Sequence, residues 1–273
     1  MSVFRTRFAP SPTYFLHLGH ALSALHVWRA AEIAGGEVLL RIEDIDTTRC
    51  RPEYTEAIYE DLSWLGLTWP EPVRVQSEHF DAYRACVDQL NQMGLAYRCF
   101  RTRAELAALE DSACPGPISA DQEEQLLAQR VPFAWRLSLA RTRAHLGPLF
   151  DDLTYQENTP TGLVTQRANP AQHGDIVIAR KDSPSAYHIA ATHDDALQGM
   201  THIIRGEDLL DAPHIHSLLQ VMMDWPQPIY QHHALLLDED GNKLSKRQKS
   251  ISLASLRADG MTADQVRARL GFA

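Results

Sequence analysis

Four cysteines are all that the 273 residues contain, at positions 50, 86, 99 and 114, and no two are spaced as a CxxC pair. This excludes a disulfide scaffold and a dithiol oxidoreductase, and the sparse thiols suit a reducing compartment. No apolar run approaches the roughly 20 residues of a membrane-spanning helix. Behind the basic start MSVFRTRF there is no apolar signal core, so the expectation is a cytoplasmic protein with no membrane partner. Neither GxGxxG nor GxxxxGKS/T follows the first strand-like segment, which removes the two common phosphate loops. Internal repeats and low-complexity linkers are also missing. Positive charge is in deficit: 26 Lys and Arg against 35 Asp and Glu give a net charge of -9. This argues against indiscriminate nucleic-acid binding, because phosphate neutralisation needs local Lys and Arg.

What is present is an alternation of strand and helix. VFRTRFA reads as a strand, and Leu18 to Ala34 as a helix stopped by Gly35-Gly36. VLLRI (Val38 to Ile42) reads as a buried strand, Pro52 opens a helix ending near Gly66, and a further helix spans about Glu78 to Met93. Such alternation predicts a parallel sheet with ligands at the carboxyl ends of its strands. Between Tyr97 and Gly174 the regularity weakens. Thr102 to Glu105 is a capping-box start, whereas CPGPISA and TYQENTPTG read as loops, so this stretch is expected to be an insertion. The alternation resumes with Asp175 to Arg180, Tyr187 to Thr192 and Thr201 to Asp208, followed by a helix around His214 to Met223. A hairpin turn is expected at Asp240-Gly241, then short helices over Leu253 to Ala258 and Ala263 to Leu270.

Two clusters carry chemistry. In FAPSPTYFLHLGH (Phe8 to His20), His17 and His20 sit three apart at a helix start, where free backbone N–H groups and the dipole favour phosphate, and Gly19 admits close approach. An HxxH pair alone would equally suit two of the ligands of a zinc ion or two ordinary histidines. Near the other end, Lys243-Leu-Ser-Lys-Arg247 follows the Gly-containing turn and could neutralise a leaving pyrophosphate. On its own it would be a basic surface hairpin, and the patch Arg98, Arg101 and Arg103 would be a solvated face.

Together, His17-Leu-Gly-His20 and Lys243-Leu-Ser-Lys-Arg247 resemble the two signatures of the class I aminoacyl-tRNA synthetases. RFAPSPT, LLRIEDIDTTR and DDALQGMTHIIRGEDLL resemble the glutamyl branch of that family. The resemblance covers nearly the whole chain. It implies a Rossmann-type α/β catalytic domain over residues 1–96 and 175–237, and a connective, tRNA-facing insertion over 97–174. A signature loop and short helical tail would occupy 238–273, with no anticodon-reading domain. It also implies activation of L-glutamate by ATP, with magnesium, followed by transfer of the glutamyl group to a nucleic-acid hydroxyl. Catalytic roles are implied for His17, His20 and Lys246. Contacts to ATP are implied for His17, Gly19, His20, Lys243, Ser245 and Lys246. Contacts to glutamate are implied for Arg7, Phe8, Ala9, Pro10, Ser11, Glu43, Tyr187 and Arg205. Arginine offers the bidentate geometry a carboxylate needs, and Glu43 suits an ammonium group. Without the resemblance, Glu43, Asp44 and Asp46 would read as a salt-bridge cluster with Arg41, Arg49 and Arg51. The short tail resembles a branch that attaches glutamate to the queuosine base in the anticodon of tRNA-Asp.

Three positions depart from the family pattern. Tyr14 stands at a usual glycine, a costly exchange if the backbone there needs positive φ. Arg247 replaces a final serine. A CxC pair, with Tyr and Cys, holds zinc in many relatives, but here Arg101 follows Cys99 and Ile118 follows Cys114-Pro-Gly-Pro. Two thiols are too few for a closed structural site, so no zinc and no metal ligand set is expected.

Overall fold

The structure, a computed structural model, describes residues 3–109, 114–236 and 251–272. Strand β1 (Arg5–Phe8) is followed by helix α1 (Leu18–Ala34), whose C-cap Gly35 is left-handed, as the double glycine predicts. Buried Ala21, Ala24, Leu25, Val27 and Ala31 let α1 lie close to the sheet. Next come β2 (Glu37–Ile42), α2 (Pro52–Trp64), β3 (Arg74–Val75), a 3-10 turn over Gln76–His79, and α3 (Phe80–Gln92). Strands β1, β2 and β3 pair in parallel, with Arg7 opposite Leu39.

The middle of the chain contains β4 (Ala96–Cys99), α4 (Arg103–Ala107), α5 (Ala120–Ala128), β5 (Ala134–Leu137) and α6 (Leu139–Leu146). Helix α4 starts on the expected capping box, Thr102 with Glu105. Strand β8 (Ile176–Ala179) pairs antiparallel with β5, which pairs with β4. Arg98 is not in a bare basic patch: it pairs with Glu123 at 2.6 Å and lies 4.6 Å from the Trp135 ring.

TYQENTPTG is not a loop. It forms β6 (Thr154–Thr159) and the start of β7 (Gly162–Arg167), an antiparallel hairpin turning at Pro160-Thr161. Its inward positions are Tyr155 and Glu157, so a buried acid stands where strand periodicity requires an apolar residue. Tyr187 to Thr192 opens helix α7 (Tyr187–Leu197), with Ile189, Ala190, Ala191, Thr192, Asp194 and Asp195 buried. Then follow β9 (His202–Gly206), α8 (Ala212–Met222), β10 (Ile229–His233), α9 (Leu253–Ala258) and α10 (Ala263–Arg269). The expected turn at Asp240-Gly241 lies outside the described residues.

Strand β10 pairs in parallel with β9 on one side and β6 on the other, giving the order β7-β6-β10-β9. This sheet meets β1 at Thr201: Thr201 N donates to Arg5 O at 2.9 Å, and Arg5 N donates to Thr201 Oγ1 at 2.8 Å. The strand order therefore reverses between β1 and β9, a switch point of the doubly wound kind, as the expected Rossmann-type α/β class requires. One apolar core packs around α3, α7, α8 and β4–β5, and a second around α1, α2, β1 and β2. Leu253, Leu256 and Val266 of α9 and α10 complete the second core. Among the described residues no helix is long and apolar enough to cross a membrane.

Candidate active site

A cleft of about 600 Å³ opens at the carboxyl ends of β1 and β9. Arg7, Phe8, Ala9, Pro10 and Ser11 enter it from the end of β1, and Glu43 from the end of β2. Tyr187 enters from the start of α7, Arg205 from β9, and His17, Gly19 and His20 from the start of α1. Every sequence-predicted site residue that is described thus lines one cavity. Lys243, Ser245 and Lys246 lie outside the described residues, as does Arg247. Their flanks are described: Leu235 and Leu236 line the cleft, and Leu253 N donates to Leu16 O at 2.8 Å beside His17.

The two histidines build the helix start. Gly19 N donates to His17 Nδ1 and His17 N donates to His20 Nδ1, each at 3.1 Å, a capping box made of imidazoles. A backbone N–H can only donate, so in each neutral ring the proton resides on Nε2. Each imidazole can therefore give a hydrogen bond to an anion while its Nδ1 holds the backbone. Gly19 is required by contact: a Cβ there would lie 2.9 Å from His17 Cε1 and 3.1 Å from Nδ1.

The floor is charged and buried. Asp195 Oδ1 accepts from Arg7 Nε at 2.9 Å and from Arg41 Nη2 at 2.8 Å, and Arg41 Nη2 also reaches Glu43 Oε1 at 3.2 Å. The salt-bridge reading of Glu43 is thus partly true, since it pairs with Arg41 and still lines the cleft. Burial pushes the Glu43 carboxyl above its ordinary range, with Arg41 and Arg7 opposing. A substrate ammonium would relieve that penalty. Among the described residues, Arg7 makes its hydrogen bond through Nε, leaving the other two guanidinium nitrogens for a carboxylate. Asp194 turns the other way, accepting from Tyr83 at 2.8 Å and Gln76 at 3.0 Å and pairing with Arg74 at 2.9 Å.

Arg205 lies 4% exposed, with Cζ 5.1 Å over the Tyr230 ring and Nη1 3.5 Å from Tyr187 Oη. The cleft is also lined by the apolar Leu22, Leu209, Leu235 and Leu236. Gly206 lets two segments touch there, since a Cβ would meet Asp208 Oδ1 at 2.6 Å and Leu235 Cδ2 at 2.7 Å. Tyr14 does not line the cleft. It is 45% exposed, packs on Phe15 and Tyr54, and is not among the residues with positive φ.

Sequence reasoning assigned no role to Asp195, Asp208, His232 or Leu235. Asp194-Asp195 was visible as an acidic pair among the buried residues of α7 and as the start of the stretch DDALQGMTHIIRGEDLL, which also holds Asp208. In the middle of the chain, Cys99 Sγ lies 3.5 Å from Cys114 Sγ, and Tyr97 Oη 3.1 Å from the latter. Among the described residues no group of three or more His, Cys, Asp or Glu is arranged to hold a metal ion.

The chain is similar to known proteins over nearly its whole length. The family model for class I tRNA synthetases (E and Q), catalytic domain, matches residues 3–270. A glutamyl-Q tRNA(Asp) synthetase from Rhodobacter capsulatus is 37% identical, over 98% of this chain and 99% of its own. A glutamate–tRNA ligase from Aquifex aeolicus is also 37% identical, over 95% of this chain and 55% of its own. The solved glutamate tRNA ligase of Elizabethkingia meningosepticum, in complex with its amino acid, superposes with a TM-score of 0.71 at 30% identity. It is covered to 54% and this chain to 95%, so the chain spans about half the length of these two ligases. With the two histidines, the buried arginines and the sheet's switch point all in one cleft, the chain belongs to the class I tRNA synthetases of the glutamate and glutamine type, through their catalytic domain.

Proposed function

We propose that this protein activates L-glutamate with ATP and transfers the glutamyl group to the queuosine base in the anticodon of tRNA-Asp. The observation that carries the reading is the division of one cleft into a buried arginine floor and an imidazole-capped helix start. Arg7 and Arg205 hold the substrate carboxylates, and Glu43 takes the ammonium group. Phe8, Ala9, Pro10 and Ser11 line that pocket. Adenosine lies toward Leu22 and Leu235, and the phosphates lie at the start of α1.

The carboxylate of glutamate attacks the α-phosphorus of ATP, and the bond to pyrophosphate breaks. His17 and His20 donate from Nε2 to oxygens that gain charge in this step, with the amides of α1 behind them. Lys246, assisted by Lys243 and Ser245, takes the leaving pyrophosphate. A hydroxyl of the nucleic acid then attacks the acyl carbon, and AMP leaves. Magnesium supplies phosphate neutralisation and is expected to enter with the nucleotide, because no described side chains form a ligand set for it.

In the same reading, residues 1–96 and 175–237 are the catalytic domain, 97–174 the tRNA-facing insertion, and 238–273 the signature loop and tail. The protein works in the cytoplasm. Queuosine as acceptor is supported by the name of the Rhodobacter capsulatus relative, which this chain matches almost end to end.

The test is transfer of radiolabelled glutamate, with ATP, to tRNA-Asp with and without queuosine, followed by mapping of the labelled nucleotide. Label confined to the modified anticodon base is expected. Label at the 3′ end would make the protein a minimal glutamate–tRNA ligase. No label and no pyrophosphate exchange would make it a binding protein.

A further inference from the structure

Arg205 is fixed from behind by a buried relay that crosses three strands. In the parallel register His232 of β10 is the Cα partner of Arg205 on β9, and Tyr230 is the partner of Glu157 on β6. Side chains two apart on a strand share a face, so Arg205, His232, Tyr230 and Glu157 all point to the same side of the sheet. Arg205 Nε donates to His232 Nε2 at 3.2 Å, and His232 Nδ1 lies 2.7 Å from Glu157 Oε1. Gln166 of β7 donates to the second oxygen of Glu157 at 3.0 Å.

The protons along this line are determined by chemistry. Arginine has only donors, so His232 Nε2 must be bare, and the ring proton must sit on Nδ1 and go to Glu157. We propose that Glu157 and His232 are positioning residues for glutamate recognition: Glu157 sets the tautomer of His232, and His232 aims the Arg205 guanidinium at the substrate. The proposal rests on the reading of Arg205 as a glutamate contact.

Three observations favour this over a merely structural pair. The relay grips Arg205 at Nε and Tyr187 takes Nη1 at 3.5 Å, while among the described residues Nη2 is buried without a hydrogen-bond partner, which a ligand carboxylate would satisfy. The side chains of His232 and Glu157 are only 3% and 10% exposed, so water cannot replace the lost partner cheaply. Burial lowers the His232 pKa, with Glu157 opposing and the neighbouring Arg205 and His233 adding to the lowering, and the Tyr230 ring lies parallel to the imidazole at 6.4 Å. The neutral ring that the relay needs is thereby maintained. Without Glu157, the tautomer with a proton on Nε2 competes and sets donor against donor at Arg205.

The test measures dissociation constants for glutamate and ATP separately by calorimetry. Glu157→Ala is expected to weaken glutamate roughly tenfold and leave ATP within about twofold, the scale of loss seen when a ligand's outer partner is removed. Glu157→Gln keeps an acceptor for Nδ1–H and is expected to recover most of the affinity. Should Glu157→Ala not yield folded protein, His232→Phe carries the same expectation. Arg205→Lys in the same assay separates the two layers. If Arg205→Lys weakens glutamate and Glu157→Ala and His232→Phe do not, the relay is overturned and the role of Arg205 stands. If Arg205→Lys leaves glutamate binding unchanged, the role of Arg205 falls and the relay with it. Equal weakening of glutamate and ATP by the relay variants would also overturn the proposal.

Discussion

At the scale of single residues, His17 and His20 each use Nδ1 to hold the start of a helix. Gly19 is where that arrangement is most sensitive. In Gly19→Ala the new methyl would drive the His17 ring off the amide it caps, because the contact would be 2.9 Å. Alanine regains about 1 kcal/mol of helix propensity and the lost cap costs about as much, so stability should change little. Pyrophosphate exchange should fall by about a hundredfold, the scale of a 1 Å misplacement. A thermal melt beside an exchange assay checks this; unchanged exchange would show that the ring position is unimportant.

At the scale of elements, the contact between α2 and α9 stores a pH dependence. Asp61 on α2 is fully buried, 3.2 Å from Arg257 Nη1, and burial pushes its carboxyl from 3.8 up to about 6, against the pull of Arg257. The folded pKa lies above the unfolded one, so the folded state holds more protons between these values and loses stability as pH rises through them. Above about 6 the loss levels off. Asp61→Asn removes the titration but not the burial. Its stability relative to the parent should therefore improve by about 1 kcal/mol between pH 5 and pH 7, read from urea midpoints. A constant difference across that range would contradict the assignment.

Elements also divide what the sequence disclosed from what it concealed. Helix α1, with its glycine stop, and α2, α8, α9 and α10 were legible because apolar spacing, Pro and Gly signals and caps agreed there. Arg7 to Ser11, His17, Gly19, His20, Glu43, Tyr187 and Arg205, which line the cleft, were legible through the family signatures, whereas the apolar Leu22 and Leu235 were not. The hairpin β6–β7 was hidden because Glu157 occupies an inward position, so the very residue that reaches the Arg205 relay erased the alternation that marks a strand. His232 was hidden for another reason: its role depends on parallel register with Arg205, 27 residues away, which no local pattern encodes. Tyr14, alarming as a replacement for glycine, needed only the backbone angle to become an ordinary exposed aromatic.

At the scale of the whole molecule, Asp194 and Asp195 join the two halves of the chain. Asp195 holds Arg7 and Arg41 from the first two strands, and Asp194 holds Arg74, Tyr83 and Gln76 beyond them. Asp195→Asn would leave two buried guanidinium groups without their shared anion, a loss of about 3–5 kcal/mol, and would loosen Arg7 in the proposed glutamate pocket. A denaturation midpoint and glutamate affinity both equal to the parent's would refute this.

The same join has a consequence in time. A ribosome delivers Arg7 and Arg41 first, and the carboxylate that neutralises both arrives 188 and 154 residues later, respectively. Until Asp195 emerges, the nascent N-terminal half has Glu43 for Arg41 but lacks the carboxylate that Arg7 and Arg41 share. Its arginine floor is thus completed late in synthesis, and the cleft forms only when both halves can close on one another.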